Sequence, residues 1–340
     1  MARDHGFHPV RIIRVTDEAP DVRTFTLDAS FPYRAGQFLT FKARGALRSY
    51  SMSSCPDSDG EVCVTVKRVP GGLVSEWMHK ELKPGDTLYA TRPAGAFCLR
   101  AEGTGRALVA FAGGSGITPV FSLVKSALVT TSRSVRILTA HQSREAAIFF
   151  AALNALAVRY SGRFEVRHHL DDRDGLVTGD EIRALAGERP RDTDFYVCGP
   201  APFMDLVERT LTGAGVSPEQ IIVERFTPAA TAAATPLTAS PPAGTPAPPP
   251  GTVTVGLRGQ RRTVPQRPGE TLLQTARRAG FTPPFSCESG DCATCMARLT
   301  AGEAKMRVNN ALDADEVAEG WVLTCQAEPT SAEVTMVYED

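Results

Sequence analysis

The rhythm of apolar and polar positions changes twice along this chain. From residue 7 to about 102 the apolar residues come in short, partly alternating runs. These are Val10–Val15, Val22–Leu27, Gln37–Phe41, Arg48–Ser51 and Val62–Val66. They are β-branched and aromatic, and Gly, Pro and Asp separate them, the pattern of strands joined by turns. Leu73–Leu82 reads as the single helix. Six or so strands with one helix predict a small antiparallel barrel.

From residue 106 the runs lengthen. Ala107–Ala112 is continuously apolar, as a strand buried on both faces should be. Gly113, Gly114, Ser115 and Gly116 follow, then a helix from about Thr118 to Leu128. Strand Val135–Thr139, helix Glu145–Tyr160, strand Phe164–His168, helix Asp180–Leu185, strand Asp194–Cys198, helix Ala201–Ala214 and strand Ile221–Glu224 complete the stretch. Such β-α alternation predicts a parallel sheet with helices on both faces. Beyond residue 250 the pattern is mixed. Val253–Val264 reads as a hairpin and Glu270–Ala279 as a short amphipathic helix. Trp321–Gln326 and a terminal strand Glu333–Tyr338 fill a small sheet with one helix across it.

Between the last two regions lies Pro228–Pro250, 23 residues with eight Pro, eight Ala and no charge. It cannot bury a core and reads as a partly extended linker. Fully extended it spans roughly 70 Å; as a coil its ends lie about 25 Å apart. The expected organisation is a barrel over 1–104, an α/β domain over 105–227, a linker over 228–250 and a C-terminal domain over 251–340.

Composition narrows the picture. The chain has 340 residues, enough for two or three domains, with 42% hydrophobic residues and a net charge of −1. That charge gives no electrostatic case for nucleic acid or an anionic membrane. No apolar run of about 18 residues predicts a transmembrane helix, and the first residues show no apolar signal core. The cysteines do not form a disulfide-scaffold pattern, so a reducing cytoplasm is expected.

Four of the eight cysteines carry chemistry. Cys287, Cys292 and Cys295 are separated by four and two residues, and 29 further residues separate Cys295 from Cys325. This C-x4-C-x2-C…C spacing is that of plant-type [2Fe–2S] ligation. A structural zinc site also uses Cys-x2-Cys, but it pairs two short spacings. Here a lone cysteine faces the loop, and the spacing favours the cluster.

Gly113–Pro119 sits between an apolar strand and a helix, where glycines let backbone approach a pyrophosphate. The spacing departs from G-x-G-x-x-G, and many strand-to-helix turns carry glycine. Cys198, Gly199 and Pro200 end a later strand, and ligands bind at such strand ends. Taken alone they read as an ordinary helix start. Arg48, Ser49, Tyr50 and Ser51 place a guanidinium, a ring and hydroxyls on one strand, with Arg48 and Tyr50 on one face. A solvated strand is the plain alternative. Val66, Lys67, Arg68, Gly72, Leu73, Val74 and Ser75 add two cations and a helix start, a second phosphate site by the same logic. Arg144 reads equally as a contact to the adenosine end of a dinucleotide or as an exposed loop arginine. Phe226 reads equally as a flavin-ring contact or a core cap. His168 and His169 lack a metal-ligand partner at sensible spacing and read as structural. No catalytic triad is visible.

Arg48–Ser51, the Gly-Gly-x-x-Ser turn from Gly71 to Ser75, Gly113–Pro119 and Cys198–Pro200 together resemble the ferredoxin–NADP reductase superfamily. A plant-type ferredoxin domain after the reductase resembles the reductase components of oxygenases. The resemblance covers nearly the whole chain except the linker. Closer in, it resembles both the reductases of Rieske-type monooxygenases and the NADH oxidoreductase serving the hybrid-cluster protein; these share every motif, so the sequence does not choose the acceptor.

The resemblance implies an antiparallel flavin barrel, a parallel-sheet nucleotide domain and a β-grasp (α+β) ferredoxin domain. It implies that Arg48, Ser49, Tyr50 and Ser51 hold the flavin ring and phosphate. Val66, Lys67, Arg68, Gly72, Leu73, Val74 and Ser75 would hold its ribityl and pyrophosphate region. Gly113, Gly114, Ser115, Gly116, Thr118, Arg144, Cys198, Gly199 and Pro200 would hold NADH or NADPH, with Phe226 against the flavin. The Lys67–Ser75 match favours FAD over FMN. His141 to Arg144 carries no clear second cation for a 2′-phosphate, a slight lean to NADH.

The implied activity passes electrons from NAD(P)H through FAD and the [2Fe–2S] cluster to a terminal oxygenase. No general acid or base residue is required, because the cofactors carry the chemistry. A hybrid-cluster protein or a fatty-acyl desaturase are other acceptors, and a redox-sensing cluster protein is the reading from a different class. Nothing in the sequence sets the oligomeric state, and a monomer suffices.

Overall fold

The computed structural model describes residues 7–100, 106–187, 192–226, 251–285, 288, 290, 292–309, 311, 312 and 314–338. Strands β1 (His8–Ala19), β2 (Val22–Asp28), β3 (Phe38–Ala43), β4 (Ala46–Ser51), β5 (Val62–Lys67) and β6 (Thr87–Ala90) form an antiparallel sheet. Its order is β4-β3-β6-β1-β2-β5. Met52 bridges Val64 and joins its two outer strands, so the sheet closes on itself. Alternation along the strands directs Ile12, Phe25, Leu39, Phe41, Val64 and Val66 into one core, where each large side chain contributes about 1.5–3 kcal/mol of burial. Helix α1 (Leu73–Glu81) adds Val74 and Met78 to that core and leaves Leu73 exposed.

The second region alternates as expected: β7 (Ala107–Gly113), α2 (Ile117–Thr130), β8 (Val135–His141), α3 (Phe150–Arg159), β9 (Phe164–Leu170), α4 (Asp171–Asp174), α5 (Gly179–Ala186), β10 (Thr193–Cys198), α6 (Ala201–Gly213) and β11 (Ile221–Glu224). The sheet is parallel throughout, in the order β11-β10-β7-β8-β9. Leu108, Ala110 and Ile137 face α2 and α3, whereas Val109, Leu138 and Phe195 face α5 and α6. The strand order reverses between β7 and β10, and the crevice at their carboxyl ends is where such sheets bind ligands.

One boundary differs from the sequence reading. The helix expected from Glu145 begins only at Phe150. Phe149 has φ +57, in the left-handed region, where a side chain costs roughly 1–2 kcal/mol and a helix cannot continue. The preceding residues turn instead, with Ala146 N donating to Ser143 Oγ and Ala147 N to the Arg144 carbonyl. Helix α5 starts where Thr178 and Glu181 complete a capping box.

The last region is a mixed sheet of β12 (Thr252–Leu257), β13 (Gln260–Pro265), β14 (Met296–Ala301), β16 (Trp321–Leu323) and β18 (Glu333–Val337), ordered β13-β12-β18-β14-β16. Helix α7 (Leu272–Arg278) packs Leu272 and Ala276 onto Val253 and Val255. The small pair β15 (Ala304–Met306) and β17 (Ala327–Pro329) and the helix α8 (Ala314–Ala318) complete it. These short pieces had no periodicity to announce them. The expected linker lies outside the described residues.

The first two regions are clamped together. Ser122 Oγ donates to the Ser54 carbonyl at 2.5 Å, Ser126 Oγ to Asp57 at 2.5 Å, and Lys125 pairs with Asp59. Tyr196 OH donates to the Cys98 carbonyl at 3.1 Å. Arg133 and Asp194 form a fully buried ion pair at 3.1 Å beneath the sheet; loss of either partner costs about 3–5 kcal/mol. Among the described residues no helix is long and apolar enough to cross a membrane.

Candidate functional site

The apolar strand β7 delivers its glycines to the centre of the crevice. Gly114–Gly116 form a single tight turn before α2. A Cβ on Gly116 would collide with the Cys198 carbonyl, and one on Gly113 would lie 2.7 Å from Pro200 Cδ. A Cβ on Gly199 would lie 2.9 Å from Gly113 N. Gly113–Gly116 and Cys198–Pro200 therefore press together into one mouth, which only glycine permits. Ser115 is half-buried on this turn. Thr118 does not leave its hydroxyl free: Oγ1 donates to the Ser115 carbonyl at 2.9 Å and pins the turn.

Cys198 is fully buried beside Glu224 on β11. Burial, then that carboxylate, pushes its thiol well above the ordinary range. It is a packing group at the crevice and a poor nucleophile.

Lys67, at the end of β5, crosses to the same turn. Its Nζ lies 3.9 Å from the position a Cβ would take on Gly114. The sequence motif grouped it with the flavin; the fold brings it to the nucleotide turn. Arg68 turns away, with Nε and Nη2 on Asp21. Val66 is buried and its carbonyl meets His79 Nε2 at 2.8 Å, so its side chain faces the core.

At α1 the first-turn amides of Leu73, Val74 and Ser75 have no intrahelical partner, as in any helix start. Gly72 precedes them, and Ser75 Oγ accepts from Val69 N at 3.1 Å, shaping the turn. These donors suit a phosphate group.

On β4 the alternation holds. Ser49 Oγ lies 2.9 Å from Thr40 Oγ1 on β3, while Arg48 lies near Tyr50 on the other face. Arg48 spends one donor on the Leu47 carbonyl at 2.7 Å, leaving the others for an anion. Tyr50 is half-buried next to Phe41, and burial pushes its hydroxyl up to about 12. It is a neutral aromatic surface at any physiological pH. Ser51 is buried and pairs with Phe38. Phe226 is 39% exposed after β11, an aromatic surface rather than a core cap.

Arg144 is exposed in the β8–α3 connection, and its Cζ lies 3.6 Å from the Phe150 ring centroid. His169 is structural, its ring nitrogens meeting Glu181 at 2.9 Å and the Gly175 carbonyl at 2.7 Å. His168 is different: it stacks on Phe150 and leaves one nitrogen unmet. Sequence spacing had no signal for that.

Cys292, Cys295 and Cys325 are buried in the third region; Cys287 lies outside the described residues. Cys295 hydrogen-bonds with Cys325 and feels the nearby Cys292, while among the described residues no three such donors stand close enough by themselves to hold a metal ion. That bond, then burial, holds the Cys295 thiol well above its ordinary range. A bound metal centre reverses this balance and takes the thiolates. Gly290 (φ +89) lets the loop pass Val308, where a Cβ would lie 2.9 Å from the Val308 carbonyl. This soft donor set fits an iron–sulfur cluster. Cys292 also packs with Phe38 and Ala94 of the barrel.

The chain matches three family models: an oxidoreductase FAD-binding domain over residues 9–98, an oxidoreductase NAD-binding domain over 111–209 and a 2Fe-2S iron-sulfur cluster binding domain over 255–330. It is 32% identical to the ferredoxin reductase component of the 3-ketosteroid-9-alpha-monooxygenase of Rhodococcus rhodochrous, covering 96% of both chains. It is 31% identical to the glycine betaine monooxygenase reductase subunit of Pseudomonas aeruginosa, over 96% of this chain and 94% of that one. Among solved structures, phthalate dioxygenase reductase superposes with a TM-score of 0.61 at 26% identity, over 98% of each chain. The sheet orders, the glycine crevice, the cysteine spacing and these matches place the chain in the family of oxygenase reductase components, NAD(P)H-dependent oxidoreductases that carry FAD and a [2Fe–2S] cluster.

Proposed function

We propose that this chain accepts a hydride from NAD(P)H and delivers the two electrons, one at a time, to a separate terminal oxygenase of the Rieske monooxygenase type. The observation that carries this reading is the approach of Lys67, on a barrel strand, to Gly114, on the nucleotide turn. A flavin strand and a pyridine-nucleotide turn then share one cleft, as hydride transfer requires. The redox chemistry is supplied by the bound cofactors, hydride acceptance by FAD and single-electron transfer by the [2Fe–2S] cluster.

The protein's part is placement. Arg48 neutralises a flavin phosphate, Tyr50 and Phe226 offer ring surface, and Ser49 and Ser51 hold β4 in register. The amides from Gly72 to Ser75 receive the pyrophosphate of FAD, with Val66 and Arg68 shaping the strand end. Lys67 and the turn from Gly113 to Gly116 receive the pyrophosphate of the nucleotide, while Thr118 braces that turn. Cys198, Gly199 and Pro200 form the wall of the crevice nearest the reacting ring, and Arg144 stands toward the adenosine end. Cys287, Cys292, Cys295 and Cys325 hold the cluster.

In this reading the working units are residues 1–104, 105–227 and 251–340, joined by the 228–250 linker, in a cytoplasmic monomer that meets its oxygenase transiently. The test is anaerobic mixing with NADH and with NADPH, following flavin and cluster absorption, then turnover with a panel of purified terminal oxygenases. Bleaching of both chromophores and turnover with an oxygenase are expected. Absence of cluster bleaching with either nucleotide would sink the proposal.

A further inference from the structure

Each half of the crevice mouth is tied to the barrel through its own element. The glycine turn runs directly into α2, and Cys198 ends β10. On α2, Ser122, Lys125 and Ser126 follow at helical spacing and share one face. All three meet the connection between β4 and β5 of the barrel. Ser122 Oγ donates to the Ser54 carbonyl, Ser126 Oγ donates to Asp57, and Lys125 pairs with Asp59. Ser122 and Ser54 are 0% and 1% exposed, so water does not compete for that bond. On β10, the fully buried Tyr196 precedes Cys198 on the same face of the sheet. Its hydroxyl donates to the Cys98 carbonyl and accepts from Arg100 N, both at 3.1 Å. Its ring meets Phe97 edge-on at 5.5 Å.

The barrel side of these joints is equally fixed. Ser54 follows Ser51, the end of the strand that carries Arg48 and Tyr50, by about 10 Å of extended chain. Every residue between is held: Met52 bridges Val64, Ser53 N donates to the Cys63 carbonyl at 2.8 Å, and Cys63 N donates to Ser54 Oγ at 2.9 Å. Tyr33 OH lies 2.7 Å from the same Ser54 oxygen. At Gly36 the barrel backbone passes Phe97 so closely that a Cβ would lie 1.9 Å from its carbonyl oxygen and 3.3 Å from Leu123 on α2. On the other side, Ser122 stands roughly 9 Å along α2 from Gly116. Each joint is therefore a short, stiff path from a barrel segment to a nucleotide segment.

The kind of contact matters. Apolar burial is non-directional and lets two surfaces slide. A satisfied buried polar network holds one arrangement, because any shift leaves a donor or acceptor unmet. Resting on the flavin and pyridine-nucleotide reading above, we infer that Ser122, Ser126 and Tyr196 are positioning residues for hydride transfer. Acting through α2 and β10, they set the separation between the flavin strand and the two halves of the nucleotide mouth. Transfer between two bound rings is sensitive to that separation: a misplacement of about 1 Å costs on the order of a hundredfold in rate.

The test uses the full, cofactor-loaded chain carrying Ser126→Ala, Tyr196→Phe or both, with Ser126→Thr as the conservative partner. Flavin content after gel filtration and affinity for NAD+ and NADP+ by calorimetry stay within about twofold of wild type. Anaerobic single-turnover reduction of the flavin at saturating NADH or NADPH slows about tenfold in each single variant and further in the double. The long-wavelength charge-transfer absorption of nicotinamide stacked on flavin weakens with it. Reduction of the flavin by dithionite, which needs no bound nucleotide, keeps its wild-type rate. Ser126→Thr retains the hydroxyl and recovers most of the lost rate. Should Tyr196→Phe fold poorly, Ser126→Ala carries the test, since it deletes one hydroxyl and leaves the helix intact. The inference is overturned if the variants are reduced by saturating nucleotide at the wild-type rate. It is also overturned if affinity and flavin content fall in step with the rate, because the residues would then serve folding alone. Wild type whose flavin neither nucleotide reduces would instead overturn the reading on which this rests.

Discussion

Cys292 of the cysteine loop packs against the region of Phe38, on barrel strand β3, and both are buried. Phe38 pairs in register with Ser51, the last residue of the strand carrying Arg48 and Tyr50. Ala94 exchanges two backbone hydrogen bonds with Phe38, at 2.9 and 3.0 Å. Gly95 makes room for the ring, since a Cβ there would lie 2.9 Å from it. One residue thus separates the flavin strand from a cysteine of the cluster loop. Phe38→Ala should leave flavin reduction by NAD(P)H unchanged and slow the following cluster bleaching at least about tenfold, a barrier rise of about 1.4 kcal/mol. Stopped-flow absorption at the two chromophores checks this, and equally fast bleaching would rule the contact out as the route. Iodoacetamide labelling of Cys292 in cluster-free chain should also speed up in the variant.

Lys67 reaches the nucleotide turn from the flavin domain. Lys67→Met removes a cation whose hydrogen bond to a phosphate is worth about 1.5–3 kcal/mol. The KM for the nucleotide should rise about tenfold or more, with flavin content after gel filtration unchanged. Loss of flavin with unchanged KM would return Lys67 to the flavin site.

Gly116 touches the Cys198 carbonyl across the crevice, and a Cβ there would also come within 2.7 Å of Gly199 N. Both neighbours are backbone and cannot step aside cheaply. Gly116→Ala should cost about 1–3 kcal/mol of stability and cut flavin reduction by NAD(P)H sharply, with flavin still bound. Thermal melts and single-turnover reduction report the two effects separately. A fully active, equally stable variant would show that the turn has slack.

Cys295 hydrogen-bonds with Cys325 and feels the nearby Cys292. Cys295→Ser should abolish the cluster's visible absorption while NAD(P)H still reduces the flavin at close to the wild-type rate. Loss of flavin reduction in a variant that retains flavin would contradict the division of labour between the domains.

His141 gives the chain a pH signature. Its folded form refuses a proton down to about pH 4, whereas the unfolded chain accepts one near 6.5. Stability from this group is complete above pH 6.5 and is lost as pH falls toward 4, on the order of 3 kcal/mol in total. The melting temperature of wild type should therefore fall more steeply over that window than that of His141→Gln. Parallel curves would mean that His141 is protonated when folded.

The sequence by itself determined whatever is encoded by spacing or period. The cysteine interval, the continuous apolar run into Gly113, the alternation on β4 and the β-α succession were all legible, because each depends on residues close together in the chain. Helix α3 marks the limit even locally: the periodic pattern runs from Glu145, but one left-handed residue at Phe149 delays the helix, and a torsion leaves no mark on a hydrophobic pattern. The tertiary structure alone decided which groups meet across distance. It brought Lys67 of the flavin motif up to the nucleotide turn, set Cys292 in one cluster with Phe38, and left one ring nitrogen each of His141 and His168 unmet while satisfying His169. Those contacts depend on how two sheets and a third domain pack, and packing depends on the shapes of surfaces assembled from remote segments. A spacing rule holds no information about them.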